Sequence, residues 1–307
     1  MKVLVKLYSR SLGDTVALMP WLERYRQDHE CELWLWGNLA FAELFVKSYP
    51  EIRFTEDDGG DWDKVIDVHY NFHKPLQQGM AEHLGYENPE YLRPKIDSQT
   101  GARPVKNKYV ALGVQSTAQL KYWNHPTGKS KRNEATNWNE LCHKLRKSGI
   151  TPVCLERYEF YGKEPFWNGV PKKAVKKIDL PLKEVINYIE HAEFYIGLGS
   201  GVAWIAHALG KPVAMIANFT EDWHEFDLSL PDYKRITNKS VCHGCWNNPE
   251  HKFIDTDWEW CPKHRDTTRQ FECHTSITPF HRKILFFFKC QHVRAVQQVL
   301  RFFLHDS

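Results

Sequence analysis

The sequence predicts an α/β protein made of two units, each built around a parallel β-sheet. Three observations support this fold class. The chain has 307 residues, more than one hydrophobic core usually serves. Short apolar runs typical of strands alternate with apolar residues at helical spacing. A polar segment at 96–108 interrupts this alternation before it restarts. We therefore expect units at 1–100 and 108–240 with a ligand cleft between them.

The first unit opens with "KVLVKLY" (2–8), an apolar β-branched run that predicts a strand. The turn "SRSLGD" follows, and apolar residues at helical spacing from Val16 to Tyr25 then predict a helix. The other elements predicted in this unit are a strand at 31–36, a helix at 39–50, and strands at 52–55 and 64–70.

The second unit repeats this pattern from "YVALGVQ" (109–115) onward. Its other predicted elements are strands at 151–156, 194–199 and 212–218 and helices at 137–149, 181–192 and 201–210. Residues 220–280 are rich in Trp, His, Cys, Asp and Asn and show no period. Apolar residues return at helical spacing in 281–304, so we expect a C-terminal helical segment at 281–307.

Charge and hydropathy require neither nucleic acid nor a membrane as a partner. The formal net charge is only +3, and no run of about 20 apolar residues exists. The apolar run at the N-terminus is too short for a signal peptide. We therefore expect a cytoplasmic protein without membrane association, although self-association stays open. In a reducing compartment, cysteines are more often metal ligands or buried thiols than disulfides.

Four cysteines cluster in the segment 241–280, with the pattern Cys242-x2-Cys245-x15-Cys261-x11-Cys273. The first pair has the spacing of a metal knuckle, and four thiolates complete a closed tetrahedral, structural site. The alternative is four free buried thiols, which this polar segment has little core to bury. Iron and zinc both accept four thiolates. The rival ligands are His243, His264 and His274, and the cysteines expected in the core are Cys31, Cys142, Cys154 and Cys290.

The turn "SRSLGD" brings Asp14 to the start of the first predicted helix. Its position alone favours the interpretation of Asp14 as a helix N-cap. The functional alternative is a general base that deprotonates a hydroxyl nucleophile at the mouth of the cleft. The pattern by itself does not separate these two roles.

Two loops of the second unit carry groups that suit phosphate. "GVQSTAQLKYW" offers the hydroxyls of Ser116 and Thr117 and the charge of Lys121, although a solvated loop with a surface lysine explains it equally well. Glu156, at the end of the strand 151–156, is a positional candidate for ribose hydroxyls. These features favour a diphosphate ligand such as a nucleotide-sugar.

The second phosphate-binding candidate is a glycine turn. A predicted strand runs into Gly199-Ser200-Gly201, and an apolar helix continues through Val202. Free N–H groups at such a helix start favour an anion. The turn is not a P-loop, because the Lys-Ser/Thr ending is absent. It is not a dinucleotide fingerprint either, because the third glycine position is Trp204.

The motifs "SLGDTVALMP", "STAQLKYW" and "IGLGSGVAWIAHALGKPV" together resemble the heptosyltransferase family of glycosyltransferases. Adding "CHGCWN", "DWEWCPKH" and "QFECHTSITP" narrows the resemblance to the bacterial autotransporter heptosyltransferases, which carry a four-cysteine iron finger. The similarity spans roughly residues 3–280, with its motifs in the family's order.

The resemblance implies a glycosyltransferase-B fold: two Rossmann-like domains facing a cleft, with an inserted four-cysteine metal finger. It implies ADP-heptose as donor, a protein serine hydroxyl as acceptor, and inversion at the anomeric carbon. Asp14 would be the catalytic base, and the other matched positions would divide into two sets. Donor-binding residues would be Ser116, Thr117, Lys121, Glu156, Gly199, Ser200, Gly201 and Val202; iron ligands would be Cys242, Cys245, Cys261 and Cys273.

Two departures from the family's pattern stand out. Lipopolysaccharide heptosyltransferases carry an Asp and a following His where this chain has Gly199 and Trp204. Longer autotransporter-type members also have an extension before the first strand. Two alternatives therefore stay open: transfer of another sugar to a glycan, a lipid core or phage DNA, and a non-catalytic binding module built on a metal finger.

Overall fold

Two parallel sheets organise the chain in the computed structural model, which describes residues 1–99, 101–116, 121–123 and 135–279. The first sheet has the order β3-β2-β1-β4, with every pair parallel. Its strands are β1 Lys2–Leu7, β2 Glu32–Trp36, β3 Ile52–Thr55 and β4 Lys64–Val68. The carboxyl ends of β1 and β4 therefore meet at one edge, where Leu7 is opposite Val68.

The second sheet has six parallel strands in the order β12-β11-β10-β5-β6-β9, and β7 and β8 form a separate antiparallel hairpin. The strands are β5 Tyr109–Gly113, β6 Thr151–Glu156, β7 Phe160–Lys163, β8 Phe166–Gly169, β9 Val175–Ile178, β10 Tyr195–Leu198, β11 Val213–Ile216 and β12 Tyr233–Ile236. The central strands β5, β10 and β11 are buried throughout, as expected for a sheet covered on both faces.

The described residues contain six α-helices, most of which connect parallel strands. They are α1 Leu12–His29, α2 Leu76–His83, α3 Thr136–Lys147, α4 Leu182–His191, α5 Gly201–Ala208 and α6 Glu272–Thr275. Helix α1 packs against α5, so the core beneath the first sheet continues into the second unit through Trp204 and Ile205. Among the helices of the described residues, none is both long and apolar enough to cross a bilayer.

The predicted helix at 39–50 is wrong in extent, because only Leu39–Leu44 form a short 3-10 helix. The buried carboxylate of Asp97 accepts hydrogen bonds from the N–H groups of Lys47 (2.8 Å) and Ser48 (2.7 Å). Those two donors are therefore taken by a distant side chain instead of a helical ladder.

The sequence pattern also missed α2, the β7–β8 hairpin, β9 and β12. Strand β12, "YKRI", falls inside the segment 220–280, for which the sequence predicts no periodic structure. Strand β12 is short, and two of its four residues are charged. It can occupy the sheet because the buried Arg235 has a charged partner, Glu225. The predicted C-terminal helix lies outside the described residues, as do Thr117 and Cys290.

Candidate active site and metal centre

Helix α1 begins at the carboxyl edge of the first sheet and is capped by Ser11, whose Oγ accepts from the Asp14 N–H at 3.2 Å. The N-cap interpretation of Asp14 is therefore wrong. The hydroxyls of Ser9 and Ser11 bind the Asp14 carboxylate. Desolvation by the surrounding protein raises the pKa of Asp14, and the two serines oppose that rise. A carboxylate of raised pKa at a sheet edge suits a general base.

The start of α1 touches the start of α5 at Gly13. A Cβ atom at Gly13 would lie 3.0 Å from Cδ1 of Trp204 and 3.5 Å from Cα of Gly201, so a larger residue would require the Trp204 ring to shift. The positive ends of two helix dipoles converge there, next to Asp14. Their convergence makes this junction a good place for an anion.

The turn Gly199-Ser200-Gly201 joins β10 to α5. Ser200 has extended backbone angles at the N-cap position, and its side chain makes no capping hydrogen bond. Its Oγ instead lies 3.5 Å from the Tyr195 hydroxyl. Within the described part of the chain, no partner is found for the first-turn N–H groups of Gly201 and Val202, so they can bind a ligand.

Lys121 lies completely buried beneath this turn. Its Nζ donates to the Gly199 carbonyl at 2.9 Å and lies 3.6 Å from the Glu225 carboxylate. Burial lowers the pKa of Lys121 to about 8, and the charge of Glu225 opposes this. The interpretation of Lys121 as a surface lysine is wrong. In this arrangement its ammonium group holds the turn from below.

The same contacts explain why this chain has Gly199 where lipopolysaccharide heptosyltransferases carry an Asp. A Cβ atom there would lie 2.8 Å from both Lys121 Nζ and Glu225 Oε1. The space for a side chain is already filled by this ion pair. The chain thus supplies a carboxylate beneath the turn from Glu225, instead of from the turn itself.

Glu225 belongs to a buried network that the sequence pattern did not reveal. Its carboxylate pairs with Arg235 at 2.5 Å and accepts from Thr220 Oγ1 at 3.0 Å, and Arg235 also donates to the Thr220 carbonyl at 2.8 Å. Burial alone would raise the pKa of Glu225, but Arg235 and Lys121 together lower it to about 2. The available signal was Arg235 two residues after Tyr233, on the same face of a short strand, because a buried charge requires a partner.

Ser116 and Glu156 meet at the carboxyl ends of β5 and β6. Glu156 accepts from the N–H groups of Val114 and Gln115, the second at 2.8 Å, and so holds the loop that leads to the buried Ser116. Desolvation raises the pKa of Glu156 to about 8. The structure therefore brings the described candidates of the second unit to one edge of its sheet.

All four clustered cysteines, Cys242, Cys245, Cys261 and Cys273, line one small cavity with Trp260 and Phe271. The Sγ atoms of Cys242 and Cys245 are 3.8 Å apart. A tetrahedral centre with metal–sulfur bonds of about 2.3 Å requires sulfur atoms about 3.8 Å apart. The first pair therefore fits a metal without rearrangement.

Other potential ligands lie close to this cavity. Atoms of Cys242, His264 and Glu272 lie within 4.8 Å of one another. Glu272 is already bound, since it pairs with Arg269 at 2.7 Å and accepts from the Cys242 N–H at 3.1 Å. The carboxylate thus orients a cysteine backbone, which leaves the thiols as the better ligand set. The rival His274 is completely buried, and burial lowers its pKa to about 3.

Residues next to Cys245 bind the first unit. Trp246 Nε1 donates to the Tyr70 hydroxyl at 3.2 Å, and Asn247 Nδ2 donates to the Phe72 carbonyl at 2.5 Å. The cysteine-rich segment therefore holds the loop that follows β4, near the start of α1 and Asp14. Sequence reasoning did not find these contacts, because they join segments far apart in the chain.

No family model matches the chain. It is 32% identical to autotransporter heptosyltransferase Aah of Escherichia coli over 90% of this chain and 71% of Aah. It is 31% identical to autotransporter heptosyltransferase TibC of Escherichia coli O78:H11, over 90% of this chain and 68% of TibC. A relative from Burkholderia thailandensis, 26% identical over 88% of this chain and 64% of its own length, is described as the inactive autotransporter heptosyltransferase BimC.

The solved structures agree with these relatives. The iron-containing dodecameric glycosyltransferase TibC from enterotoxigenic E. coli superposes with a TM-score of 0.84 at 28% identity, over 96% of this chain and 78% of TibC. TibC in complex with ADP-D-beta-D-heptose gives a TM-score of 0.82 at 28% identity, over 98% of this chain and 77% of TibC. E. coli heptosyltransferase II shares the fold at 10% identity, with a TM-score of 0.58 over 99% of both chains. The chain with this paired-sheet fold belongs to the autotransporter heptosyltransferase family and is a glycosyltransferase.

Proposed function

We propose that this protein transfers heptose from ADP-heptose to a protein serine hydroxyl, with inversion at the anomeric carbon. The observation that carries the proposal is the position of Asp14. It lies where the starts of α1 and α5 meet, next to a turn whose N–H groups suit an anion. The relatives support the donor, since TibC has been solved with ADP-D-beta-D-heptose.

The chemistry follows from this arrangement. The acceptor hydroxyl attacks the anomeric carbon while its proton passes to the Asp14 carboxylate. The bond between that carbon and the diphosphate breaks, and its electrons leave with ADP. The N–H groups at the start of α5 and the two helix dipoles stabilise the negative charge that develops on the leaving diphosphate. Direct displacement inverts the configuration.

Two domains serve the two substrates in this proposal. Residues 1–100 form the acceptor domain and 108–240 the donor domain, with the cleft between their sheet edges. The segment 241–280 is the metal finger, and 281–307 lies outside the described residues. Donor contacts come from Ser116, Glu156, Gly199, Ser200, Gly201 and Val202, with Lys121 supporting the turn from below.

The finger holds iron in this proposal, as the solved TibC is iron-containing. Cys242, Cys245, Cys261 and Cys273 would hold it, and four thiolates give a closed site that supplies structure instead of reactivity. TibC is also a dodecamer, and self-association of this chain belongs to the same proposal.

Calorimetry with purified protein tests the donor. We expect ADP-heptose to bind, and UDP-glucose and GDP-mannose to bind at least about 10-fold more weakly, a difference of about 1.4 kcal/mol. Equal or stronger binding of UDP-glucose or GDP-mannose would remove ADP-heptose from the proposal. The acceptor is tested with a serine-rich autotransporter passenger segment and mass spectrometry of the product. Transfer to a glycan or to DNA, and not to the polypeptide, would contradict the serine acceptor.

Lys121→Met is expected to weaken ADP-heptose binding about 10-fold, because the Gly199 carbonyl loses its donor and the turn loses its support. Methionine fills about the same buried space as lysine, so the substitution leaves no cavity. Lys183→Met is the matched control, since Lys183 makes an exposed ion pair with Glu43 at 2.7 Å. Calorimetry measures both variants. An unchanged dissociation constant in Lys121→Met would exclude a role for Lys121 in donor binding.

A further inference from the structure

The loop after β4 places Tyr70 near the start of α1, which carries Asp14. The Tyr8 N–H donates to the Val68 carbonyl at 3.3 Å, so the chain segments that leave β1 and β4 run next to each other. The Tyr70 hydroxyl contacts His224 Nε2 and accepts from Trp246 Nε1 at 3.2 Å. Which of these groups carries each proton decides what Tyr70 offers to a substrate.

Asn247 settles the orientation of this network. The Glu221 N–H donates to Oδ1 of Asn247 at 2.7 Å, and Nδ2 donates to the Phe72 carbonyl at 2.5 Å. One backbone donor and one backbone acceptor independently require the same orientation of the amide. Nδ2 therefore faces Nδ1 of His224, at 3.0 Å.

The orientation of Asn247 determines the protonation of His224. Because Nδ1 of His224 faces the Nδ2–H donor of Asn247, we assign the ring proton to Nε2; the Lys74 backbone carbonyl is a further acceptor near the ring. Burial lowers the pKa of His224 to about 4, so the ring is neutral near pH 7 and carries its single proton on Nε2. Nε2–H then donates to the Tyr70 oxygen.

Tyr70 is left as a donor only. Its oxygen already accepts from His224 and from Trp246, which uses both acceptor positions of the hydroxyl. Among the described residues, no further hydrogen bond of the Tyr70 hydroxyl is found. Burial raises the pKa of Tyr70, and the charge of Asp14 adds to that rise. Tyr70 follows Val68 by two residues, and Val68 pairs with Leu7 at the strand end that leads into α1 and Asp14.

We propose that Tyr70 donates its hydroxyl proton to the oxygen of the acceptor hydroxyl whose own proton is taken by Asp14. This rests on the proposed function. The acceptor oxygen would be held by one donor and one proton acceptor, which fixes the direction of its attacking lone pair. His224, Trp246 and Asn247 act through Tyr70 as positioning residues.

The kinetic test uses Tyr70→Phe, which keeps the ring and removes the donor. We expect kcat to fall about 10- to 100-fold and the KM for the passenger segment to rise, while the ADP-heptose dissociation constant stays unchanged. Tyr86→Phe is the matched control, because the Tyr86 hydroxyl donates to the surface residue Asp28 at 2.8 Å. Wild-type kcat and KM in Tyr70→Phe would overturn the proposal.

The second test needs no acceptor, and its readout comes from the wild-type protein. Ring 15N shifts of labelled histidines in the wild-type protein, with His224 assigned by loss of its signal in His224→Gln, report the tautomer. The proposal requires that Nε2 of His224 is protonated and that Nδ1 is unprotonated. A protonated Nδ1 would reverse the direction of the Tyr70 hydrogen bond and overturn it. Absence of transfer to any acceptor, with the Nε2–H tautomer found, would instead contradict the proposed function.

Discussion

Asp14→Asn is expected to lower the rate of heptose transfer about 100- to 10,000-fold, because asparagine keeps the shape of the side chain and cannot accept the acceptor's proton. In the proposed donor site the contacts come from the α5 turn and the loops after β5 and β6, so the ADP-heptose dissociation constant should stay within about threefold of wild type. The rate of ADP release, measured with and without the passenger segment, and calorimetry of donor binding check the two parts.

The control for this variant is Asp28→Asn, an exposed carboxylate at the other end of α1 that pairs with Arg24 at 2.9 Å. It removes one negative charge from the same helix and should leave turnover unchanged. Parallel loss of turnover and donor binding in Asp14→Asn would make Asp14 a binding residue instead of the base. Full turnover in Asp14→Asn would exclude both roles.

The raised pKa of Asp14 also gives this variant a signature in stability. A carboxyl group whose pKa is higher in the folded protein binds its proton more tightly there than in the unfolded chain. Protonated Asp14 therefore stabilises the fold at pH values below the pKa of this group in the unfolded chain. This stabilisation is lost as the pH rises through the pKa of the group in the folded protein. At neutral pH the ionised group therefore opposes folding, and Asp14→Asn should have a higher Tm than wild type. A lower Tm would indicate that the carboxylate is structural.

The sequence predicts those parts of the site whose signals are local. A glycine turn between a buried strand and an apolar helix, as at Gly199-Ser200-Gly201, is visible in a few consecutive residues. The same is true of Asp14 at the start of α1 and of the spacing between Cys242 and Cys245. Each of these depends on backbone geometry that neighbouring residues determine.

The remaining parts of the site depend on contacts between distant segments. Lys121 has the local pattern of a surface residue until Glu225 and Arg235 are brought beside it, because burial of its charge depends on those partners. Tyr70 and His224 are joined through the segment that follows Cys245. Neither cluster has a period or a spacing, so only the folded arrangement reveals it.

We therefore expect the proposed metal finger to affect more than its own segment. Cys245→Ser should remove iron and lower the Tm by about 10 °C or more, because binding of a structural metal contributes directly to folding free energy. Trp246 and Asn247 follow Cys245 and hold the loop that carries Tyr70. We thus expect turnover to fall with the metal, and more strongly than donor affinity. Elemental analysis, thermal melts and turnover measured on one preparation check this.

Cys31→Ala is the control for a thiol outside the cluster, since Cys31 is buried in the core of the first unit. It should keep its full iron content. Chelation separates the contribution of the metal from that of side-chain packing. If the metal accounts for the effect, removing iron from wild type lowers its Tm to that of Cys245→Ser, and the chelator leaves Cys245→Ser unchanged. A wild-type Tm that survives complete loss of metal would show that packing around Trp246 and Trp260 holds the finger without it.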